Sequence, residues 1–368
     1  MLYTPLFRSA LATAGLASAL LLPGAGLGAA DLDAARLREL LKQYPAADAN
    51  RDGELTADEA LAYARQLRSG SAKRKDKEGA SRPEGPRVKR PAPTHAAVSY
   101  GPHERNKFDL WLAPSPRPTP LVVFIHGGGF VNGSRESASP EMIAGCLAAG
   151  VSYMAIDYRF RPGAPVQDIL RDCARAIQFV RTKAADYNLD PARIASYGSS
   201  AGAGTSLWLA FHPDLADPAS PDPVLRQSSR IVAAGALNTQ ATYNLLRWPE
   251  LLGTSGDDYS RPGEVASFYG LKSEAELEQA KAILADVDML ELISKDDPPV
   301  FLYSSQGDGP VKDRGHFLHH PEHARAVKRA CDAAGVPAVI WFAQLEPRLT
   351  SGHTSELRKF LLQHLRGG

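Results

Sequence analysis

The chain is predicted to fold around a mostly parallel β-sheet covered by helices on both faces, and three observations predict it. Six short runs are apolar on both faces: "LVVFIHGG" (121–128), "VSYMAIDY" (151–158), "RIASYGSS" (193–200), "IVAAGAL" (231–237), "PVFLYSS" (299–305) and "AVIWFAQ" (338–344). Strands that carry no polar alternation are those buried on both sides. Helical patterns such as "VQDILRDCARAIQFVRTKAADY" and "PEHARAVKRACDAAG" lie between several of them. At 368 residues the chain has room for this one large domain and a small module besides.

The order along the chain supports that division. Residues 1–30 read as an export signal: Arg8 supplies the positive start, "ALATAGLASALLLPGAGLG" the apolar body and "GAA" (28–30) a small-residue cleavage site. Pro23 and the glycines at 15, 24, 26 and 28 keep the apolar run shorter than the roughly 20 residues of a spanning helix. A secreted or periplasmic protein without stable membrane insertion is the expectation. The 42 Lys+Arg and 41 Asp+Glu nearly cancel, so the chain lacks the basic field that draws proteins to nucleic acid. Cys146, Cys173 and Cys331 have no metal-ligand spacing and read as core thiols.

Residues 31–68 form the small module. "DANRDGELTADE" (48–59) matches the calcium loop of an EF-hand: Asp48, Asn50, Asp52, the carbonyl of Glu54, Thr56 directly or through water, and bidentate Glu59 would surround a hard cation with oxygen. Gly53 allows the sharp turn between them. Leu37, Leu40 and Leu41 before the loop, and Leu61, Ala64 and Leu67 after it, have helical spacing. A structural calcium ion is expected here, and no cofactor for catalysis. Residues 69–96 carry almost no large apolar side chain and are rich in Pro, Gly and Lys/Arg, the composition of a flexible tether to the domain spanning 97–366.

The chemistry centres on "YGSSAGAGTS" (197–206), which has two serines between glycines. Gly198, Ser200 and Gly202 fall as Gly-x-Ser-x-Gly where a strand runs into a helix, so Ser200 is the nucleophile and Ser199 its neighbour. "HGGGF" (126–130) ends an earlier strand. Consecutive glycines let backbone N–H groups approach an oxygen that becomes negative during acyl transfer, and each such donor lowers the barrier by roughly 3–4 kcal/mol. A phosphate loop would end in Lys-Ser/Thr, which is absent.

HGGGF, "DYRF" (157–160) and GSSAG together resemble the hormone-sensitive-lipase-like and feruloyl/acetyl-xylan-esterase-like branch of the α/β-hydrolases, over about residues 98–365. The resemblance implies an α/β-hydrolase fold, an oxyanion hole of the Gly128, Gly129 and Ala201 amides, and a triad in the order Ser, acid, His. It places the acid after the next-to-last core strand, at Asp308, with Asp313 the competitor. The histidine departs from the family pattern, because Gly352-His353 is followed at once by the final helix; His353 is expected as the base and His320, in the cluster His316, His319, His320 and His323, is second. The segment from 213 to about 284, with Trp248, Leu251, Leu252, Tyr259 and Phe268, reads as an insertion over the pocket or packing against the domain itself.

The resulting expectation is an exported serine carboxylesterase acting on short-chain acyl esters, including acetyl or feruloyl esters of polysaccharide. Two other classes remain open at this stage: a catalytically inactive binding module of the same fold, and a calcium-dependent surface or scaffold protein.

Overall fold

The computed structural model describes residues 37–38, 41–42, 47–48, 52–56, 59, 88–255, 259, 263–345 and 352–366. The expected export signal and most of the tether lie outside them. The chain divides into two compact units, 1–87 and 88–368. Residues 88–96 of the expected tether therefore belong to the larger unit: Trp111 Nε1 donates to Pro91 O at 2.8 Å, Leu112 N donates to Thr94 Oγ1 at 3.0 Å, and the first strand begins at His95. Arg90 contributes a guanidinium over the Trp111 ring, an anchor that composition conceals.

The larger unit is an α/β-hydrolase fold. Its eight strands are β1 (His95–Ser99), β2 (Lys107–Trp111), β3 (Thr119–Ile125), β4 (Ser152–Ile156), β5 (Leu189–Ser199), β6 (Ala234–Leu237), β7 (Val300–Ser304) and β8 (Ala338–Phe342). They lie in the order β1-β2-β4-β3-β5-β6-β7-β8. The β1–β2 and β2–β4 pairs are antiparallel and all others parallel. The six apolar runs found in the sequence are the six parallel-paired strands β3 to β8.

The principal helices are α1 (Pro140–Ala148), α2 (Val166–Thr182), α3 (Ala201–Phe211), α4 (Arg314–His319), α5 (Pro321–Ala334) and α6 (His353–Leu365). Local sequence fixes their ends. Ser139 Oγ accepts the Met142 N–H at the start of α1, Pro321 occupies the first turn of α5, and Gly335 closes α5 at φ +77°. On one face of the sheet α2, α3 and α5 pack through residues such as Ile177, Leu207 and Val327. On the other face α1 and α6 pack through Met142, Ile143, Leu357, Leu361 and Leu365. Burial of both faces supplies the apolar area that holds a parallel sheet.

All three cysteines are buried and free, as core thiols are. Burial pushes the thiol pKa of both Cys146 and Cys331 up to about 12, so neither ionises readily. Among the described residues no helix is long and apolar enough to cross a membrane.

Candidate active site

β5 delivers Ser200 at the carboxyl edge of the sheet, in the turn that leads into α3. Ser200 has φ 53° and ψ −121°, a backbone conformation that a serine occupies only when its surroundings impose it. The flanking glycines show what imposes it. A Cβ at Gly198 would stand 2.3 Å from the Gly202 carbonyl carbon, and one at Gly202 would stand 2.0 Å from Ile125 O. The elbow is thus wedged against the end of β3, and only hydrogen fits at either glycine. Ser200 N donates to Leu237 O at 2.9 Å, tying the turn to β6 as well.

The glycine loop follows β3 and passes beside the same turn, since a Cβ at Gly127 would meet Ser199 O at 2.7 Å and Ser200 Cβ at 3.4 Å. Gly128 and Gly129 have φ +112° and +61°, the region that favours glycine. The Gly128 carbonyl accepts the N–H groups of Val131 and Asn132, which turns the loop back on itself. Among the described residues, the N–H groups of Gly128, Gly129 and Ala201 have no protein acceptor. The Ala201 amide is in the first turn of α3, where the helix leaves its donors unused.

Buried side chains hold the loop from below. Tyr158 Oη donates to His126 O at 2.7 Å and its ring stacks on the His126 ring at a centroid separation of 4.1 Å. Arg135 N donates to Asp157 Oδ1 at 2.7 Å, and its guanidinium also pairs with Asp157. The aspartate of "DYRF" therefore anchors the loop rather than reacting.

The imidazole that meets Ser200 comes from α4: Ser200 Oγ and His319 Nε2 are 2.8 Å apart. His319 Nδ1 lies 3.1 Å from Gly315 O, and because a carbonyl only accepts, Nδ1 carries the proton. Nε2 is then bare and accepts from the serine hydroxyl. Burial lowers the His319 pKa from its ordinary 6.5, partly opposed by the bond to the Gly315 carbonyl.

The structure places the other expected triad residues, and their competitors, as follows. His353 opens α6 on the opposite face of the sheet from α3, where its ring stacks on Tyr303 at 4.3 Å. His320 turns away from Ser200 and donates from Nε2 to Gly309 O at 2.9 Å while Nδ1 accepts the Glu322 N–H. Asp308 is committed to a two-pronged pair with Arg325, at 2.6 and 2.8 Å, which lowers its pKa. Asp313 caps α4 by accepting the His316 N–H. Among the described contacts His319 is oriented by a backbone carbonyl, and no carboxylate touches it. The sequence signal for His319 was its place in the histidine cluster behind β7; nothing in spacing alone singles it out from His316, His320 and His323.

The insertion packs on this site. Trp248 meets Phe317 of α4 at a centroid distance of 5.5 Å, Tyr259 stacks on Phe317 at 5.3 Å, and Phe268 meets Phe130 of the glycine loop at 6.0 Å. These aromatic contacts brace the two segments that carry His319 and the glycines of the 127–129 loop.

In the smaller unit, Gly53 N donates to Asp48 Oδ2 at 3.0 Å and Glu54 N to Asp52 Oδ1 at 2.8 Å, with Gly53 at φ +87°. Thr56 and Glu59 cap each other: Glu59 N donates to Thr56 Oγ1 at 3.2 Å and Thr56 N to Glu59 Oε2 at 3.1 Å. Asn50 lies outside the described residues, as do Leu40, Leu61, Ala64 and Leu67 of the flanking helical pattern.

Comparison with known proteins places the chain in a family. Residues 108–316, more than half of the chain, match the BD-FAE family model, and the chain belongs to that family. It is 31% identical over 159 residues to "Probable isoprenylcysteine alpha-carbonyl methylesterase ICMEL1" of Arabidopsis thaliana, a match covering 41% of this chain and 31% of that protein. It is 35% identical over 91 residues to "Carboxylesterase NlhH" of Mycobacterium tuberculosis, covering 25% of this chain and 28% of that one. The chain thus spans about a third or less of each of these relatives. Among solved structures, a truncated carbohydrate esterase from gut microbiota aligns with a TM-score of 0.58 at 19% identity, covering 74% of this chain and 96% of that one. An acetyl ester-xyloside bifunctional hydrolase from Caldicellulosiruptor lactoaceticus aligns with a TM-score of 0.53 at 20% identity, covering 69% and 86%. At these identities the two structures bear on the fold.

Proposed function

We propose that the protein is an exported serine carboxylesterase in which Ser200 is the nucleophile and His319 its general base. The 2.8 Å contact between Ser200 Oγ and the bare Nε2 of His319 carries the reading. The names of the methylesterase and carboxylesterase relatives support ester hydrolysis as the reaction class.

The steps follow from the geometry. Ser200 Oγ attacks the ester carbonyl carbon as its proton passes to His319 Nε2, and the carbonyl oxygen becomes an alkoxide facing the Gly128, Gly129 and Ala201 amides. The intermediate collapses, the alcohol departs with the proton from Nε2, and the acyl group remains on Oγ. Water then attacks the acyl-enzyme, His319 again takes and returns the proton, and the acid is released. Gly315 O holds the imidazole in the tautomer this sequence requires. Short-chain acyl esters, with acetyl or feruloyl esters of polysaccharide among them, are the substrate class that fits an exported member of this family.

The oxygen donors of the 48–59 loop suit calcium, a hard cation. Asp48, Asp52 and Glu59 each accept a hydrogen bond from within the loop, and among the described residues no three His, Cys, Asp or Glu side chains converge as metal ligands; with the Glu54 carbonyl, Thr56 and Asn50 they are the six residues proposed to hold the ion. When bound, the ion would order the small module, and the catalytic steps above draw on none of these residues.

Replacement of Ser200 by alanine is expected to lower the hydrolysis rate of p-nitrophenyl acetate on the order of 10⁴-fold or more while circular dichroism stays unchanged. Equal rates in both proteins would replace catalysis with a binding role for the domain. The pH dependence follows from the lowered His319 pKa: kcat/KM should rise with pH as His319 loses its proton, with a midpoint below 6.5, so activity persists to more acidic pH than an unshifted histidine would allow. An acid limb at or above that value in the pH–rate profile would contradict the assignment. Calorimetric titration of metal-free protein should find one calcium ion per chain, and Glu59→Gln should weaken it by more than about tenfold without altering kcat.

A further inference from the structure

α4 has only six residues, yet it must hold His319 at hydrogen-bond distance from Ser200 without help from a carboxylate. Its carbonyl groups show how. Gln240 Nε2 donates to Leu318 O at 2.8 Å, one residue before His319. His323 Nε2 donates to Phe317 O at 3.0 Å, two residues before it, while His323 Nδ1 accepts the Ala241 N–H at 3.2 Å. Both side chains are buried, with Gln240 5% and His323 0% exposed.

Gln240 and Ala241 belong to the loop that leaves β6, and that loop also carries the acceptor of the nucleophile: Leu237 O takes the Ser200 N–H at 2.9 Å. The loop is pinned in turn, since Asn238 N donates to Tyr303 O at 2.7 Å and Asn238 Oδ1 accepts the Ser305 N–H at 2.8 Å. One five-residue stretch, 237–241, thus fixes the backbone of the elbow at one end and the carbonyls of α4 at the other.

We infer that Gln240 and His323 are positioning residues that set the reach of His319 to Ser200, doing through backbone carbonyls of α4 what a carboxylate contact on the imidazole would otherwise do. The inference rests on the catalytic reading above. His323 serves in the neutral Nε2–H form, because Nδ1 must stay bare to accept Ala241 N–H; full burial keeps its pKa down at about 4. His316 and His320 use the same wiring elsewhere in the cluster. His316 Nε2 donates to Gly307 O at 2.7 Å and Nδ1 accepts the Lys312 N–H at 3.3 Å, and His320 bridges Glu322 N and Gly309 O. Those two brace the segment behind β7, whereas Gln240 and His323 connect α4 to the loop that supports the nucleophile.

Gln240→Met keeps the volume and removes the donor, so it is the decisive variant; His323→Leu is the second. Both are compared with Ser200→Ala and the parent for kcat and KM on p-nitrophenyl acetate, thermal midpoint and rate of labelling by a fluorophosphonate. A base displaced by about 1 Å costs on the order of 10²-fold in rate, so Gln240→Met should lose about ten- to a hundredfold in kcat and in labelling rate while KM stays within about threefold. A fold weakened in general would instead lower the melting point and leave the kcat of the remaining folded enzyme unchanged. Gln240→Met with kcat within twofold of the parent, while Ser200→Ala is inactive, would overturn the positioning role and leave the catalytic reading standing. If Ser200→Ala were as active as the parent, the reading and the inference would fall together.

Discussion

The contact between Ser200 Oγ and His319 Nε2 depends on two pieces of chain that meet only when the sheet is complete. Ser200 is lifted by an elbow whose glycines touch the end of β3, and His319 arrives from α4, beyond β7. β6 lies between β5 and β7, and its exit loop bonds to both sides. The parallel core is therefore the instrument that sets this distance. Loss of register in β6 would separate the pair without touching either side chain.

The His319 imidazole is held by neutral groups. A carboxylate beside the imidazole would stabilise the imidazolium formed during attack and raise its pKa, whereas a carbonyl dipole does less of both. Burial lowers the His319 pKa and no carboxylate among its described contacts restores it, so the imidazole remains deprotonated further into acid. Asp308, the residue that stands where such a carboxylate is expected, has its charge met by Arg325 at a largely exposed site, so its pair contributes little to stability.

Much of the fold was legible because apolar runs and glycines have few alternatives. Residues buried on both faces read as β3 to β8, and Gly198 and Gly202 flag an elbow because only hydrogen fits there. β1 and β2 were missed: "HAAVS" has no buried position and "KFDLW" carries Lys and Asp among its apolar residues, so their membership is decided by pairing, β2 with β4 and β1 with β2. The larger unit takes in residues before 97 for a related reason, since Pro91 and Thr94 are held by Trp111 and Leu112 and not by apolar burial of their own. The histidine was illegible because four candidates in the segment 316–323 share one composition. Helical phase and the capture of carbonyls by Gln240 and His323 decide which imidazole faces Ser200.

The central claim is that the base is His319, delivered from behind β7, and the most direct measurement is kcat/KM for p-nitrophenyl acetate with His319→Ala beside His353→Ala, each checked for folding. The account predicts a loss on the order of 10⁴-fold for His319→Ala and a value within a few-fold of the parent for His353→Ala. The reverse pattern would contradict it and return the base to the segment after β8.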